Sequence, residues 1–317
     1  MSAERSNLAL ATNEADNRLH QCGWLRLSAR HSERMAAAQS EHGLDLSPAR
    51  GRAAIEEGGF IVIPVEMVIR EGGQYLEATV VFALGKQVLI SVEQDVRLNA
   101  LNLASEQLLD TLGAGGALDP VVMMFTILEV LNDSAHAAIR DISARLDEHS
   151  EAVAVASGGF EMSKRQAGVA DIAGTAIALG EAEELVAKAV EGQLMLARAG
   201  RWLRRVAGDA RLQQSLPTLL SDIHSLRRYA RFQHDKIRNL QQSLMTTLDI
   251  KQNQVIKVFT VITAVFTPPT LVAAFYGQNF AYMPELELPW GEWMVMLLTG
   301  LFALMPLAYI KRKGWMR

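Results

Sequence analysis

Two uncharged apolar runs near the end of the chain dominate its hydrophobic pattern. The first extends from Val258 to Tyr276 and the second from Trp293 to Ile310. About 20 helical residues, each rising about 1.5 Å, cross roughly 30 Å of hydrocarbon, so each run is long enough to span a bilayer. A buried helix in a soluble core is the alternative for either run alone. Because the two runs lie side by side, they favour a pair of membrane-spanning helices.

The chain before these runs divides into a strand-rich part and a helical part. Residues 59–92 include FIVIPVEMVI, YLEATVVFAL and QVLISV, separated by Gly-Gly and Gly-Lys, which predicts strands and hairpins. We expect the tightest turn at Gly85-Lys86, and Pro64 at a sheet edge or bulge. From Asp119, a good N-cap before Pro120, helical periodicity prevails.

One apolar stripe follows Gly208 on a helix that leads into the first run. Arg227, Arg228, Arg231 and Arg238 lie mostly off this stripe. They are either a patch for phosphate or an acidic partner, or a solvated face that pairs with Glu and Asp of adjacent helices. The apolar residues recur at spacings of three and four or their sums. They are Leu219, Ile223, Leu226, Ala230, Ile237, Leu240, Leu244 and Leu248.

These patterns predict an α+β cytoplasmic domain, strand-rich at first and then built of long helices, which continues into a two-helix transmembrane region. The predicted segments are a strand-rich α/β part at 1–118, long helices including a stalk helix at 119–254, a first transmembrane helix at 255–276, an extracytoplasmic loop at 277–292, a second transmembrane helix at 293–310 and a basic tail at 311–317.

Composition and charge exclude several classes of function. A net charge of -4 and a pI near 6.0 argue against a nucleic-acid partner. A single cysteine, Cys22, cannot form an intramolecular disulfide, and His20 beside it does not complete a tetrahedral metal site. The sequence has no nucleophile elbow, phosphate-cradling Gly-rich loop or zinc-protease motif, so we expect neither an enzyme nor a cofactor.

Charge placement orients the predicted spans. The loop at 277–292 has no Lys or Arg but carries Glu285, Glu287 and Glu292. Since basic residues next to a span stay on the cytoplasmic side, both termini are expected in the cytoplasm and the loop outside the inner membrane. The N-terminus has no apolar stretch typical of a secretory signal. The basic residues that flank the spans are Lys251, Lys257, Lys311, Arg312, Lys313 and Arg317.

Threonines of the first span share one helical face. Their register continues backward to Ile256 and Asn253, and forward to the polar turn at 277–279. The hydroxyls either bond back to a carbonyl of the preceding turn and allow close packing, or line a pore. Two helices cannot enclose a pore, so this interpretation requires a ring of subunits. The threonines are Thr260, Thr263, Thr267 and Thr270.

The chemistry of this region favours oxygen ligands. Residues 250–317 contain no His or Cys, so the usual soft ligands of Zn²⁺ are absent from the predicted pore. Gln278 and Asn279 offer carboxamide oxygens that can accept hydrogen bonds from a hydrated cation, and Mg²⁺ gives up its water reluctantly. Glu285 and Glu287, repeated around a ring, would raise the local concentration of cations. Pro268-Pro269 predicts a kink or local unwinding.

The segment NQVIKVFTVITAVFTPPTLVAAFYGQNFAYMPEL resembles the membrane region of the CorA family of divalent-cation transporters. The family's hallmark is Gly-Met-Asn followed by Met-Pro-Glu-Leu. Gly277, Asn279 and the residues at 283–286 match it, whereas Gln278 replaces the methionine. The soluble part is similar in plan, although the matching motifs lie in the last quarter of the chain.

This resemblance implies a funnel-shaped homopentamer in which hydrated divalent cations pass an outer ring of Asn279. It implies that Ile256 and Phe259 form a hydrophobic gate, whereas the threonine spacing selects the neighbouring Thr260. Magnesium-selective members keep the methionine that Gln278 replaces, and relatives of the ZntB type vary it. Mg²⁺, Co²⁺ and Zn²⁺ therefore stay open, as do proton coupling and a poorly conducting membrane scaffold or sensor. The pore positions implied by the resemblance are Asn253, Ile256, Phe259, Thr267 and Thr270.

Overall fold

The computed structural model describes residues 15–46, 54–94, 97–156, 169–278, 283–284 and 288–314. The chain divides into two compact units, Met1–Gln241 and Gln242–Arg317. The first unit contains a sheet and long helices, and the second contains the two C-terminal apolar runs. The predicted α+β class, with strands first and long helices afterwards, is confirmed. The boundary placed at residue 254 stays a prediction.

A five-stranded mixed sheet lies in the first unit, with the strand order β1-β5-β4-β3-β2. β1 pairs with β5 in parallel, and the other neighbouring pairs are antiparallel. β3, β4 and β5 occupy the predicted positions, whereas the sequence pattern did not predict β1 or β2. The strands are β1 (Trp24–Ser28), β2 (Ile55–Glu57), β3 (Phe60–Glu71), β4 (Gln74–Leu84) and β5 (Leu89–Glu93).

The prediction that Gly85-Lys86 forms the tightest turn is wrong, because two-residue turns join β2 to β3 at Gly58-Gly59 and β3 to β4 at Gly72-Gly73. Only Gly72 and Gly73 join β3 to β4, with φ angles of 57° and 84°. Positive φ at both central residues is typical of a type I′ turn, whose twist suits a two-residue hairpin and which favours glycine. The connection from β4 to β5 takes the four residues 85–88.

Pro64 lies on β3 beyond the short segment that pairs with β2. That pairing ends at Val62, and among the described residues no strand follows on the same side of β3. Proline has no amide hydrogen to donate to a neighbouring strand, so it is tolerated at such an edge. The predicted edge position is confirmed.

Helices cover both faces of the sheet. Val62, Val81 and Ile90 pack with Met35 of α2 on one face. Because side chains alternate along a strand, Met67 points to the other face, where Gly192 of α5 contacts it. Asp119 caps α4, since the amide of Val122 donates to Asp119 Oδ1 at 2.7 Å, as predicted. The helices of this part are α1 (15–21), α2 (Ser32–His42), α3 (Asn99–Gly113), α4 (Pro120–Ala156) and α5 (Val169–Val206).

The last two helices are α6 (Ala210–Tyr276) and α7 (Gly291–Arg312). The boundary between the two compact units lies within α6. The predicted apolar stripe of α6 is confirmed: six of its eight residues are buried, and Leu240 and Leu248 are half-buried. Arg228, Arg231 and Arg238 are exposed, as expected for residues off the stripe.

Candidate functional site

The apolar surface of the second unit is exposed to its surroundings. Within the described ranges, α4, α6 and α7 are long and apolar enough to cross a membrane. Most of the apolar window of α4 is buried within the first unit, whereas the windows of α6 and α7 are almost wholly exposed. Burying a large apolar surface is strongly favourable, so α6 and α7 need an apolar environment that the single chain does not supply.

Five of the seven predicted pore residues lie together along one groove on α6. The groove has a volume of about 520 Å³. Phe259, named by the family resemblance, and Thr260, named by the threonine spacing, both line it. Asn253 and Thr270 lie on the same helix but do not line the groove. The lining residues are Ile256, Phe259, Thr260, Thr263, Ala264, Thr267 and Pro268.

Three of the four threonine hydroxyls bond back to the carbonyl four residues earlier, and all four side chains are at least partly exposed. Each such bond uses the only proton of its hydroxyl. The remaining lone pairs of the oxygen can then only accept hydrogen bonds or face a cation. Back-bonding and pore lining are therefore compatible. The bonds run from Thr260 to Ile256 at 2.8 Å, from Thr263 to Phe259 at 2.9 Å and from Thr270 to Phe266 at 2.7 Å.

Two prolines add further acceptors beside these hydroxyls. Pro268 and Pro269 have no amide hydrogen, so the carbonyls of Ala264 and Val265 lose their helical donors. Ala264 and Pro268 both line the groove. The helix continues through both prolines to Tyr276, so the predicted local unwinding is not seen, whereas the alternative, a kink, stays a prediction. The groove therefore combines an apolar stretch with acceptor oxygens, those of Thr260, Thr263 and the Ala264 carbonyl.

The predicted filter begins where α6 ends. The amide of Gly277 donates to the carbonyl of Ala273 at 3.0 Å, and that of Gln278 donates to the carbonyl of Phe275 at 3.4 Å. The side chain of Gln278 is exposed. Asn279, Glu285 and Glu287, the predicted outer ring and the acidic residues of the loop, lie outside the described residues.

Protein metal ligands of the usual kind do not cluster in the part of the chain that is described. There, no group of three or more His, Cys, Asp or Glu side chains is arranged to hold a metal ion. His234 lies 3.6 Å from a carboxylate oxygen of Glu183. The groove itself has no charged side chain among its lining residues. Its chemistry suits a cation that keeps its water better than one held directly by protein ligands.

A second feature, rich in arginine, lies between α5 and α6. Arg227, Arg228 and Arg231, singled out in the sequence, line one cavity there, and Arg238 does not. Arg201 and Arg204 of α5 join them and were not predicted. Their spacing of three residues on a helix that precedes the break at Gly208 is a signal that could have indicated them.

A family model described as "CorA-like Mg2+ transporter protein" matches residues 21–312. Two relatives named "Magnesium transport protein CorA" share shorter segments. The one from Wolinella succinogenes is 35% identical over 114 residues, 36% of each chain. The one from Pasteurella multocida is 43% identical over 98 residues, 31% of each chain. The chain thus spans about a third of the length of these curated relatives.

A solved structure shows the same fold over most of the chain. It is "The complete structure of CorA magnesium transporter from Methanocaldococcus jannaschii", with a TM-score of 0.69 and 15% sequence identity. The match covers 92% of this chain and 91% of that one. At this identity the likeness concerns the fold alone.

Proposed function

The chain belongs to the family of CorA-like Mg2+ transporter proteins, and from this premise we propose that it is one subunit of a homopentameric channel or transporter for divalent metal cations. Mg²⁺ is the proposed cargo, with Co²⁺ and Zn²⁺ as competitors. The names of the relatives support Mg²⁺. Gln278, which replaces the family methionine, is the reason to test the other ions beside it.

The groove on α6 is the observation that carries this proposal. Several copies arranged around an axis would bring their grooves together into one water-filled path, with α7 facing lipid. The hydroxyls of Thr260 and Thr263, whose protons are donated to the preceding turn, would offer acceptor oxygens along it. Ile256 and Phe259 are 52% and 65% exposed in the single chain and would form its apolar constriction. Such a constriction gates by excluding water.

Selectivity is proposed to arise at the outer mouth. A ring of Asn279 would accept hydrogen bonds from the water around a divalent cation, with Gly277 and Gln278 shaping the turn that presents it. Glu285 and Glu287 would concentrate cations there and repel anions.

The orientation follows from the charges next to the membrane. Lys311 and Arg312 lie in the last turn of α7, and Glu292 lies in its first turn. Basic residues next to a span favour the cytoplasmic side, so both termini are proposed to be cytoplasmic in a multi-pass inner-membrane protein.

A flux assay in liposomes tests the function directly. Purified protein is reconstituted, and entry of Mg²⁺, Co²⁺, Ni²⁺ and Zn²⁺ is followed in parallel with an ion-sensitive dye. We expect saturable Mg²⁺ entry that falls at least tenfold in Asn279→Ala, because the hydrated ion loses its ring of acceptors. Thr263→Val should reduce flux, whereas Thr299→Val should leave it unchanged. Thr299 is a matched control, since its hydroxyl also bonds back, to Val295, but lies on α7.

Two outcomes would contradict this function. If none of the four ions enters and Asn279→Ala changes nothing, the chain is better described as an oligomeric membrane scaffold or sensor. If the mass in detergent is that of a dimer, no ring of grooves can form. The two measurements are independent of each other.

A further inference from the structure

A cavity of about 620 Å³ between α5 and α6 is lined by five arginines. Arg201 and Arg204 come from α5, and Arg227, Arg228 and Arg231 come from α6. No carboxylate belongs to its described lining. The remaining lining residues are Pro217, Leu220, Ser221 and His224.

A close approach of the two helices creates this arrangement. A Cβ atom built on Gly200 would lie 2.8 Å from Cδ2 of Leu220, so the glycine allows α6 to come near α5. Arg201 and Arg204 follow Gly200 by one and four residues. Arg227 follows Leu220 by seven residues, about two helical turns, and therefore lies on the same side of α6. The arginines face one another because of where the helices meet.

The guanidinium groups lack acidic partners within the described part of the chain. No described carboxylate oxygen lies within 4.0 Å of any of the five. Arg228 donates to the hydroxyl of Ser225 at 3.2 Å. The Nε atom of Arg227 is buried and has no hydrogen-bond partner, an arrangement that normally requires a ligand or water. Among the described residues, Arg227, Arg228 and Arg231 therefore lack the acidic partners that one alternative from the sequence gave them.

The basic region continues into a neighbouring cavity of about 660 Å³ that shares Arg201 and Arg204. Arg205 lies over the ring of Trp202 there, 4.7 Å from its centroid. Residues 198–231 contain eight arginines and two aspartates, a local charge of +6 in a chain whose net charge is -4. Like charges held this close repel one another, so an anion bound between them would be stabilised.

We propose that the cavity between α5 and α6 binds a small soluble polyphosphate, either inorganic tripolyphosphate or the phosphate chain of a nucleotide. Guanidinium groups present several donors in a plane that matches phosphate oxygens. A single phosphate carries at most about two negative charges, fewer than the five positive charges here, whereas linked phosphates concentrate more. The volume is in the range of small-molecule sites, roughly 300 to 1,000 Å³. This inference goes beyond transport and does not depend on it.

The test measures binding of tripolyphosphate to the full-length protein in detergent by titration calorimetry at low salt, without divalent ions. We expect saturable binding whose Kd rises at least tenfold in the double variant Arg204→Gln/Arg228→Gln. The matched control, Arg211→Gln/Arg238→Gln, removes the same charge from exposed positions outside both cavities and should change Kd less than twofold. The Kd of Arg204→Lys/Arg228→Lys should lie between those of the cavity and control variants, because lysine keeps the charge but not the planar donors.

Several results would overturn this site. The first is the absence of saturable tripolyphosphate binding. The second is an equal loss of tripolyphosphate affinity in the cavity and control variants. The third is binding of vesicles that contain phosphatidic acid without binding of tripolyphosphate. The last would assign the cavity to lipid headgroups. A lower oligomer mass in the cavity variant with unchanged tripolyphosphate affinity would show that the arginines contact another copy instead. None of these measurements requires transport, so they stand apart from the flux assay.

Discussion

Arg26 and Glu93 form an ion pair buried beneath the parallel edge of the sheet, with side chains only 2% and 1% exposed. Two nitrogens of the guanidinium donate to the two carboxylate oxygens at 2.9 and 2.8 Å. A third donates to Asn102 Oδ1 at 2.7 Å, and Glu93 also accepts the amide of Leu98 at 2.6 Å. The pair therefore ties β1 and β5 to the start of α3.

Removing one partner of this pair should be strongly destabilising. We expect Glu93→Gln to lower the free energy of unfolding by about 3 kcal/mol, because the buried guanidinium loses its close counter-charge and keeps only Asp16 Oδ1 at 3.9 Å. Glu77→Gln, which removes one of two exposed acidic partners of Lys188, should cost much less. Thermal unfolding of both variants measures the difference. Equal melting temperatures of the two variants would contradict the prediction, because they would show that water reaches the Arg26 guanidinium.

Tyr75 lies in a second polar cluster, between β4 and α4. Burial, and then the hydrogen bond that its hydroxyl donates to Asp141, raise the pKa of Tyr75 to about 12. Arg70 and Arg145 also lie beside Asp141, at 3.0 and 3.3 Å. The native state therefore holds the phenol proton more tightly than the unfolded chain does.

This shift predicts a loss of stability in alkali. Below about pH 10 both states keep the proton, so the stability that this group contributes is fully present and does not change with pH. Between about pH 10 and 12 the unfolded state binds fewer protons, so stability falls as pH rises, by about 1 kcal/mol once solvent screening is considered. In Tyr75→Phe this part of the pH dependence should vanish. Melting temperatures from about pH 9 to 11.5 measure this dependence. In a pH titration followed by the ultraviolet absorbance of tyrosinate, the parent should show one tyrosine that ionises well above pH 10, and Tyr75→Phe should lack it.

At the scale of elements, Gly192 allows α5 to lie directly on β3. A Cβ atom there would be 2.9 Å from the carbonyl oxygen of Glu66 and 3.0 Å from Cα of Met67. Both are backbone atoms of β3, which is held here by its pairing with β4, and they cannot move aside easily. Gly180 lies in the same helix, and no atom of another element lies within 4 Å of the position that a methyl group would take there.

The two glycines should respond to alanine in opposite directions. Gly192→Ala is expected to destabilise the protein by about 1 to 3 kcal/mol through overpacking against β3. Gly180→Ala should stabilise it by about 0.5 to 1 kcal/mol, since alanine is the better helix former and nothing opposes its methyl group. Thermal unfolding of the two variants beside the parent checks the sign of each. If both variants were more stable than the parent, α5 would not approach the sheet at Gly192 as closely as described.

Most elements formed by local contacts were predictable, with the short β2 as an exception, whereas β1, which pairs with a distant strand, was not. The β3 and β4 strands follow one another across a Gly-Gly turn, and Asp119 signals the start of α4 directly. β1 has a charged residue, Arg26, among its buried positions, and its partner Glu93 comes 67 residues later. No pattern within β1 indicates that partner. The sequence pattern of residues 24–28 therefore does not predict a buried strand.

The same distinction applies to the two candidate sites. The residues along the groove belong to one helix, so their spacing and the family motif together placed five of them on a common face. The arginine cavity needs two helices. Its α5 members join those of α6 only because Gly200 and Leu220 set where the helices meet, and spacing within either helix does not contain that information.

At the scale of the whole molecule, the apolar surface is divided unequally between the two units. Within the first unit, the α6 stripe is buried at positions such as Leu219, Ile223 and Ile237. The exposed apolar residues from Val255 to Tyr309 belong to the second unit. The requirement for a membrane or detergent should therefore come from residues 242–317 alone.

A fragment that ends at Gln241 should consequently stay soluble without detergent. We expect it to sediment without aggregates, to show mixed helix and strand in circular dichroism, and to unfold cooperatively, because its stripe remains packed. A fragment that ends at Gly208 is the contrasting control. It lacks α6 and with it the buried residues Leu216, Ile223 and Ala230. The apolar residues that pack against them would become exposed, so this fragment should aggregate. If the longer fragment aggregates as readily as the shorter one, the first unit depends on the second, or on other copies, for its stability.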